Sequence, residues 1–239
     1  MLQVKNLVAG YEHRVLIRNL FFCLPDPAFV AIVGHNGAGK TTLFKAFTGT
    51  LPYQGQILIQ NQDLKSHARP AANGLLAHLP QKNTVSFPIK VRDLVVMGLY
   101  RRKRFFEQYS QADYAAVQQV ISRLQIGHLE DREFTELSGG EQQLVWLAQL
   151  MLQDAVICLL DEPTQQLDIY HKKRVFNLLE SWVAQDRKTV LCITHDLANL
   201  QGHAGYILNL SKPHPALEIL TPVTIRENIT FLEEKAGPA

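Results

Sequence analysis

The chain has 239 residues, 46% hydrophobic and 19% charged, an ordinary balance for a soluble globular protein long enough to bury a core. Its 24 Lys and Arg barely outnumber 22 Asp and Glu, so composition makes no case for a nucleic-acid binder. Three scattered cysteines, Cys23, Cys158 and Cys192, exclude a disulfide framework or a zinc site and fit a reducing compartment.

Met1 leads straight into the strand-like Leu2-Gln3-Val4, so no signal peptide is expected. No apolar run approaches the ~20 residues that span a bilayer. Segments 2–7, 15–24 and 56–59, the last after the turn signal Pro52-Tyr53-Gln54-Gly55, predict a small antiparallel sheet. The apolar run Phe29-Val30-Ala31-Ile32-Val33 predicts a buried strand, and residues 41–48 a helix. Between them stands Gly34-His35-Asn36-Gly37-Ala38-Gly39-Lys40-Thr41, the G-x-x-x-x-G-K-[ST] pattern. Glycines at these places let backbone N–H groups fold around a polyphosphate, and the following helix N-terminus adds its positive dipole end. Lys40 would reach the β/γ-phosphates and the Thr41 hydroxyl would ligate Mg²⁺.

Residues 87–153 read as mostly helical, with Val117, Val120, Ile121 and Leu124 on one face. Arg101-Arg102-Lys103-Arg104 reads as a solvated loop or helix end, with contact to an acidic partner or lipid headgroups as the alternative. Leu137-Ser138-Gly139-Gly140-Glu141 precedes a helix that Ser138 would cap, 23 positions upstream of Asp161. Residues 155–160 predict a buried strand that delivers Asp161 and Glu162 at its C-terminal end. There, Asp161 would hold the Mg²⁺ shell and Glu162 would polarise the attacking water. Val175, Leu178, Leu179, Trp182 and Val183 share a helical face. The strand Thr189-Val190-Leu191-Cys192-Ile193 would deliver His195 to a γ-phosphate. A less secure strand covers 206–210, and the tail after Pro213 is expected to be short and to end on the surface.

With these residues in place, the chain resembles an ATP-binding-cassette (ABC) ATPase from Met1 to about residue 225. The resemblance implies an α/β fold with a P-loop NTPase, RecA-like core (1–84 and 155–239), an N-terminal antiparallel β-subdomain and an inserted helical subdomain (85–154). It implies ATP and Mg²⁺ as cofactors. Tyr11 would stack on adenine, and Gly34, His35, Asn36, Gly37, Ala38, Gly39, Lys40, Thr41 and Thr42 would hold the phosphates. Glu162, His195, Lys40 and Gln81 would be catalytic, with Thr41, Gln81 and Asp161 around Mg²⁺. Ser138, Gly139, Gly140 and Glu141 would meet the γ-phosphate held by a second subunit, and Asp168 in Gln165-Gln166-Leu167-Asp168 would line the dimer seam. Members usually carry arginines where this chain has Gln142, Leu144 and Gln149, and a small or polar pair where it has Gln165-Gln166.

Phe87–Tyr100 is similar to a stretch shared by metal-chelate and zinc/manganese importers, and Leu167-Asp168-Ile169-Tyr170-His171 resembles the chelate group, with Lys172 for a glutamine. This implies an importer ATPase for a siderophore, haem or cobalamin-like chelate. A zinc/manganese importer or a non-transport cassette is the alternative. The implied partners are a second cassette, identical or paired, an integral-membrane permease and, indirectly, an extracytoplasmic substrate-binding protein, without nucleic acid. The implied place is the cytoplasmic face of the membrane, as a peripheral subunit.

Overall fold

The computed structural model describes residues 1–12, 14–67, 73–104, 106–165 and 167–236, with residues 235 and 236 described by backbone only. In chain order, β1 (Leu2–Tyr11) and β2 (Arg14–Leu24) pair antiparallel, and β3 (Phe29–Val33) leads into α1 (Lys40–Phe47). Strand β4 (Tyr53–Ile59), short β5 (Gln62–Asp63) and β6 (Leu76–Leu79) follow. Next come α2 (Val91–Val96), α3 (Gln111–Arg123) and α4 (Gly139–Leu152), then β7 (Ile157–Asp161), α5 (Ile169–Ala184) and β8 (Thr189–Ile193). The chain closes with β9 (Tyr206–Asn209), β10 (Leu217–Ile219) and α6 (Pro222–Ala236).

Two sheets form. The antiparallel one has the order β2-β1-β4-β5, and the six-stranded one β10-β9-β3-β8-β7-β6. In the second, β3, β6, β7, β8 and β9 run parallel, and β10 pairs antiparallel with β9. Strand β3 explains why parallel strands read as unbroken apolar runs. Phe29, Ala31 and Val33 join a core shared with α2 to α5, while Val30 and Ile32 join one shared with α1 and the antiparallel sheet. Each such fully buried aliphatic or aromatic side chain contributes roughly 1.5–3 kcal/mol.

The helices start where their sequences supply caps. Ser110 with Asp113, and Ser138 with Glu141, form reciprocal capping boxes, and Asp168 caps α5. Each such cap stabilises its helix by about 1 kcal/mol. Helices α1 and α2 are exceptions, because Gly39 and Lys90 begin them without a side-chain cap.

Three expectations need correction. Pro52-Tyr53-Gln54-Gly55 is not a turn ahead of a strand: β4 already begins at Tyr53, and its ladder with β1 shifts register between Lys5 and Val8. Strand β6 was not anticipated, because half-buried His78 interrupts its short apolar run. The tail after Pro213 does not simply end on the surface. It supplies β10 and α6, whose Ile225 and Asn228 are buried. The basic run 101–104 closes a 3₁₀ turn with Arg102 and Arg104 exposed, as a solvated helix end would be, and it pairs within the chain: Arg102 with Asp154 at 2.9 Å, and Lys103 with Asp113 at 2.5 Å and Glu107 at 3.2 Å.

Candidate nucleotide site

Strands β3, β8, β7 and β6 lie side by side and parallel, so their C-terminal ends open on one edge. In that order the edge carries the 34–41 loop, His195, Asp161 with Glu162, and Gln81.

In the loop, Gly39 has φ +97°, a left-handed conformation that favours glycine and turns the chain into α1. With no side chain capping it, the first turn of α1 offers its backbone N–H groups to an anion. Lys40, only 8% exposed, donates through Nζ to the carbonyls of Gly34 at 2.6 Å and His35 at 3.1 Å. Burial lowers the pKa of its ammonium, and the charges of Glu162 and Asp161 oppose that shift.

The Thr41 hydroxyl donates to Asp161 Oδ2 at 3.5 Å. Burial, followed by the adjacent Glu162 charge, pushes the Asp161 carboxyl up to about 6. Two neighbouring carboxylates against one ammonium leave excess negative charge, which a divalent cation would relieve. Among the described residues no three His, Cys, Asp or Glu side chains gather as a metal site. The Thr41 hydroxyl and Asp161 carboxylate are hard oxygen donors, the ligand type that Mg²⁺ takes alongside water and substrate phosphates.

Glu162 leaves β7 at φ +53°, a left-handed conformation that costs a non-glycine residue about 1–2 kcal/mol. Its amide donates to the Ile193 carbonyl at 2.9 Å, which holds the turn against β8. The carboxylate is gripped on both oxygens: His195 Nε2 lies 3.1 Å from Oε1, and Gln81 Nε2 donates to Oε2 at 3.1 Å. Gln81 also donates to Gln165 Oε1 at 3.3 Å. Sequence reasoning missed a brace behind His195. There the Asp196 carboxylate accepts from Thr164 Oγ1 at 2.6 Å and pairs with Lys172 Nζ at 2.8 Å. The lysine that replaces a family glutamine thus ties α5 to the His195 turn; its only sequence signal was the departure itself.

The other expected site residues lie on separate elements. Ser138 bonds Glu141 of its own helix, donating its hydroxyl to Oε2 at 2.7 Å, and this bond holds the Glu141 carboxyl below its usual range. Gly139 and Gly140 open the first turn of α4. A cleft of about 290 Å³ brings Gly139, Gln142 and Gln143 together with Gln81, Glu162 and Gln165. Asp168 engages His171, whose Nδ1 lies 2.8 Å from Oδ2, while neighbouring Ile169 and Tyr170 are 80% and 70% exposed. Tyr11 is half exposed at the end of β1, and Lys45 Nζ donates to its hydroxyl at 3.0 Å.

The departures from the family pattern also find places. Gln142 Nε2 donates to the carbonyls of Phe134 and Leu137 and fixes the approach to Ser138. Leu144 is core, and Gln149 Nε2 donates to the Leu94 carbonyl. Gln166 lies outside the described residues. A larger hollow of about 340 Å³, walled by Val120, Met151, Cys158 and Trp182 among others, contains none of the site residues.

Residues 17–165 match the profile of a family described as ABC transporter. The chain belongs to the ABC transporter family. It is 36% identical over 194 residues to the achromobactin transport ATP-binding protein of Dickeya dadantii, a match covering 81% of this chain and 72% of that one. It is 30% identical over 229 residues to a manganese transport system ATP-binding protein of Halalkalibacterium halodurans, covering 93% and 89%. Among solved structures, an ABC transporter described as being of metal-chelate type, in an inward-facing conformation, superposes with a TM-score of 0.81 at 29% identity, covering 98% of this chain and 88% of that one.

This cassette is thus an ATPase with the P-loop NTPase fold, and the fold class and family implied by the motifs hold. Cassettes of the family form dimers and work with membrane permease components. No helix among the described residues is long and apolar enough to cross a membrane.

Proposed function

We propose that this chain is the ATP-hydrolysing subunit of an importer for a metal chelate, working as a head-to-tail pair on the cytoplasmic face of a membrane permease. The observation that carries the reading is the convergence of Lys40, Asp161, Glu162, Gln81 and His195 on one sheet edge, with Ser138-Gly139-Gly140 starting a different helix. In this reading each ATP lies between the phosphate loop of one copy and the α4 N-terminus of the other, so neither half-site is complete alone. Tyr11 supports the adenine from the edge of β1, and Asp168 lines the seam between copies.

Lys40 and the first-turn amides of α1 hold the β/γ-phosphates, and the α4 N-terminus adds its dipole from the opposite side. Glu162, fixed between His195 and Gln81, aligns and polarises the attacking water, while His195 contacts the γ-phosphate. Thr41, Asp161 and Gln81 would hold Mg²⁺, which when bound neutralises phosphate charge. Catalysis is then positioning and charge stabilisation of a loose phosphoryl transition state. Loss of the γ-phosphate link lets the pair open. The helical segment 85–154 passes that motion to the permease through Gln81 and the half-exposed Phe87 and Tyr100.

The achromobactin transport relative and the metal-chelate-type structure support a chelate cargo, which in this reading an extracytoplasmic binding protein supplies. The manganese relative, aligned over 93% of this chain, supports the second reading, a metal-ion importer. The test is reconstitution with the cognate permease and binding protein in liposomes. ATP-dependent uptake of a ferric chelate with no Mn²⁺ uptake is expected; Mn²⁺ uptake alone would decide for the second reading.

A further inference from the structure

We infer that Ser211, fixed by a buried pair of asparagines, is a positioning residue for the phosphate loop and couples ATP binding to α6. This rests on the nucleotide site proposed above but assigns residues outside it.

Ser211 follows β9 and lies 176 positions from His35, yet its Oγ accepts the His35 backbone N–H at 2.9 Å and bonds His35 Nδ1 at 2.7 Å. His35 Nε2 faces the Leu232 carbonyl of α6 at 3.3 Å. A carbonyl only accepts, so the ring N–H sits on Nε2, and Nδ1 accepts a hydrogen bond donated by the Ser211 hydroxyl. The carbonyl of the same histidine accepts from Ala38 N–H and from Lys40 Nζ, each at 3.1 Å. His35 is therefore the pivot of the loop: its N–H and ring are held from outside, and its carbonyl holds the phosphate-binding lysine.

The loop is built against this serine. At Gly34, with φ +151°, a Cβ would lie 3.1 Å from Ser211 Oγ and 2.9 Å from the Ala38 methyl. Ser211 is in turn fixed from behind. Its amide donates to Asn209 Oδ1 at 2.9 Å, and Asn209 Nδ2 donates to Asn228 Oδ1 at 2.8 Å. Asn228 Nδ2 donates to the Thr224 carbonyl at 2.9 Å and to Glu218 Oε2 at 3.0 Å. Both asparagines are fully buried, and a satisfied buried chain of this kind holds one geometry. It runs from Asn228 of α6 to the residue that orients Lys40.

A merely structural role would change stability and leave nucleotide affinity alone; a positioning role moves affinity. The test is Mg·ATP binding by calorimetry and steady-state hydrolysis with the full chain, comparing wild type, Ser211→Ala, Ser211→Thr and Lys40→Ala. Loss of one neutral hydrogen bond to the loop predicts about three- to tenfold weaker ATP binding and a matching rise in KM for Ser211→Ala. Its kcat should stay within about twofold, and Ser211→Thr, which keeps the hydroxyl, should restore affinity. His35→Phe keeps ring bulk beside Phe231 without either nitrogen, so it tests the same bond from the other side should Ser211→Ala fold poorly. Wild-type affinity in folded Ser211→Ala or in His35→Phe, alongside loss in Lys40→Ala, overturns this inference and leaves the nucleotide site standing. Absence of ATP binding by the wild type would remove the site itself.

Discussion

His195 Nε2 and Glu162 Oε1 lie 3.1 Å apart across the ends of adjacent parallel strands, and the second Glu162 oxygen accepts from Gln81. A carboxylate in a left-handed turn, bonded on both oxygens, is held in one geometry, which suits the water-polarising role proposed for it. Glu162→Gln is expected to retain ATP affinity within about threefold and to lower single-turnover hydrolysis by roughly 10²–10⁴-fold. Wild-type phosphate release in this variant would remove Glu162 from its role.

Lys40 is buried and within bonding distance of its own loop carbonyls, so Lys40→Ala removes a charged donor that no neighbour replaces in position. A charge-assisted bond of about 1.5–3 kcal/mol predicts ATP binding weakened roughly 10- to 100-fold. Titration calorimetry checks this, and unchanged affinity would contradict the phosphate-loop assignment.

Asp161 carries a carboxyl raised to about 6 by burial and by Glu162, a cost that a bound divalent cation relieves. Asp161→Asn should therefore shift the Mg²⁺ dependence of hydrolysis to higher concentration, by roughly tenfold or more. Removing divalent ions with a chelator should abolish hydrolysis by wild type and variant alike. An unchanged Mg²⁺ titration in the variant would separate Asp161 from the metal.

His78 on β6 sits edge-on to Phe44, its buried Nε2 has no hydrogen-bond partner among the described residues, and burial lowers its pKa to about 4 from an unfolded value near 6.5. Between those values the unfolded chain binds the proton and the folded one does not, so stability is lost as pH falls from about 6.5 to 4. The full effect is about 3 kcal/mol. His78→Leu should remove that share of acid sensitivity. Urea midpoints of the two proteins compared at pH 7 and pH 4.5 test this, and parallel losses would rule it out.

Much of the fold was legible because parallel strands buried on both faces write themselves as apolar runs: Phe29–Val33 and Thr189–Ile193 match the sequence reading residue for residue. Spacing also placed the groups that share the sheet edge, since a strand end fixes where Asp161, Glu162 and His195 emerge. What stayed hidden depends on distant contacts. His78 broke the pattern of β6, and Gly55 read as a turn although the register shift it accommodates is visible only opposite β1. The sequence 213–215, Pro-His-Pro, hides a following helix whose buried positions include a polar asparagine. Nothing local to Ser211 announces that it meets the phosphate loop, and Lys172 shows only as a departure from the family pattern, not as the brace of the His195 turn.

The shared site is tested most directly by the solution mass of Glu162→Gln, measured by light scattering with and without Mg·ATP, alone and combined with Ser138→Arg. The account predicts that ATP doubles the mass of Glu162→Gln, and that the added Ser138→Arg leaves it monomeric while ATP still binds. A monomer at saturating ATP in the first protein, or an ATP-driven dimer in the second, would contradict it.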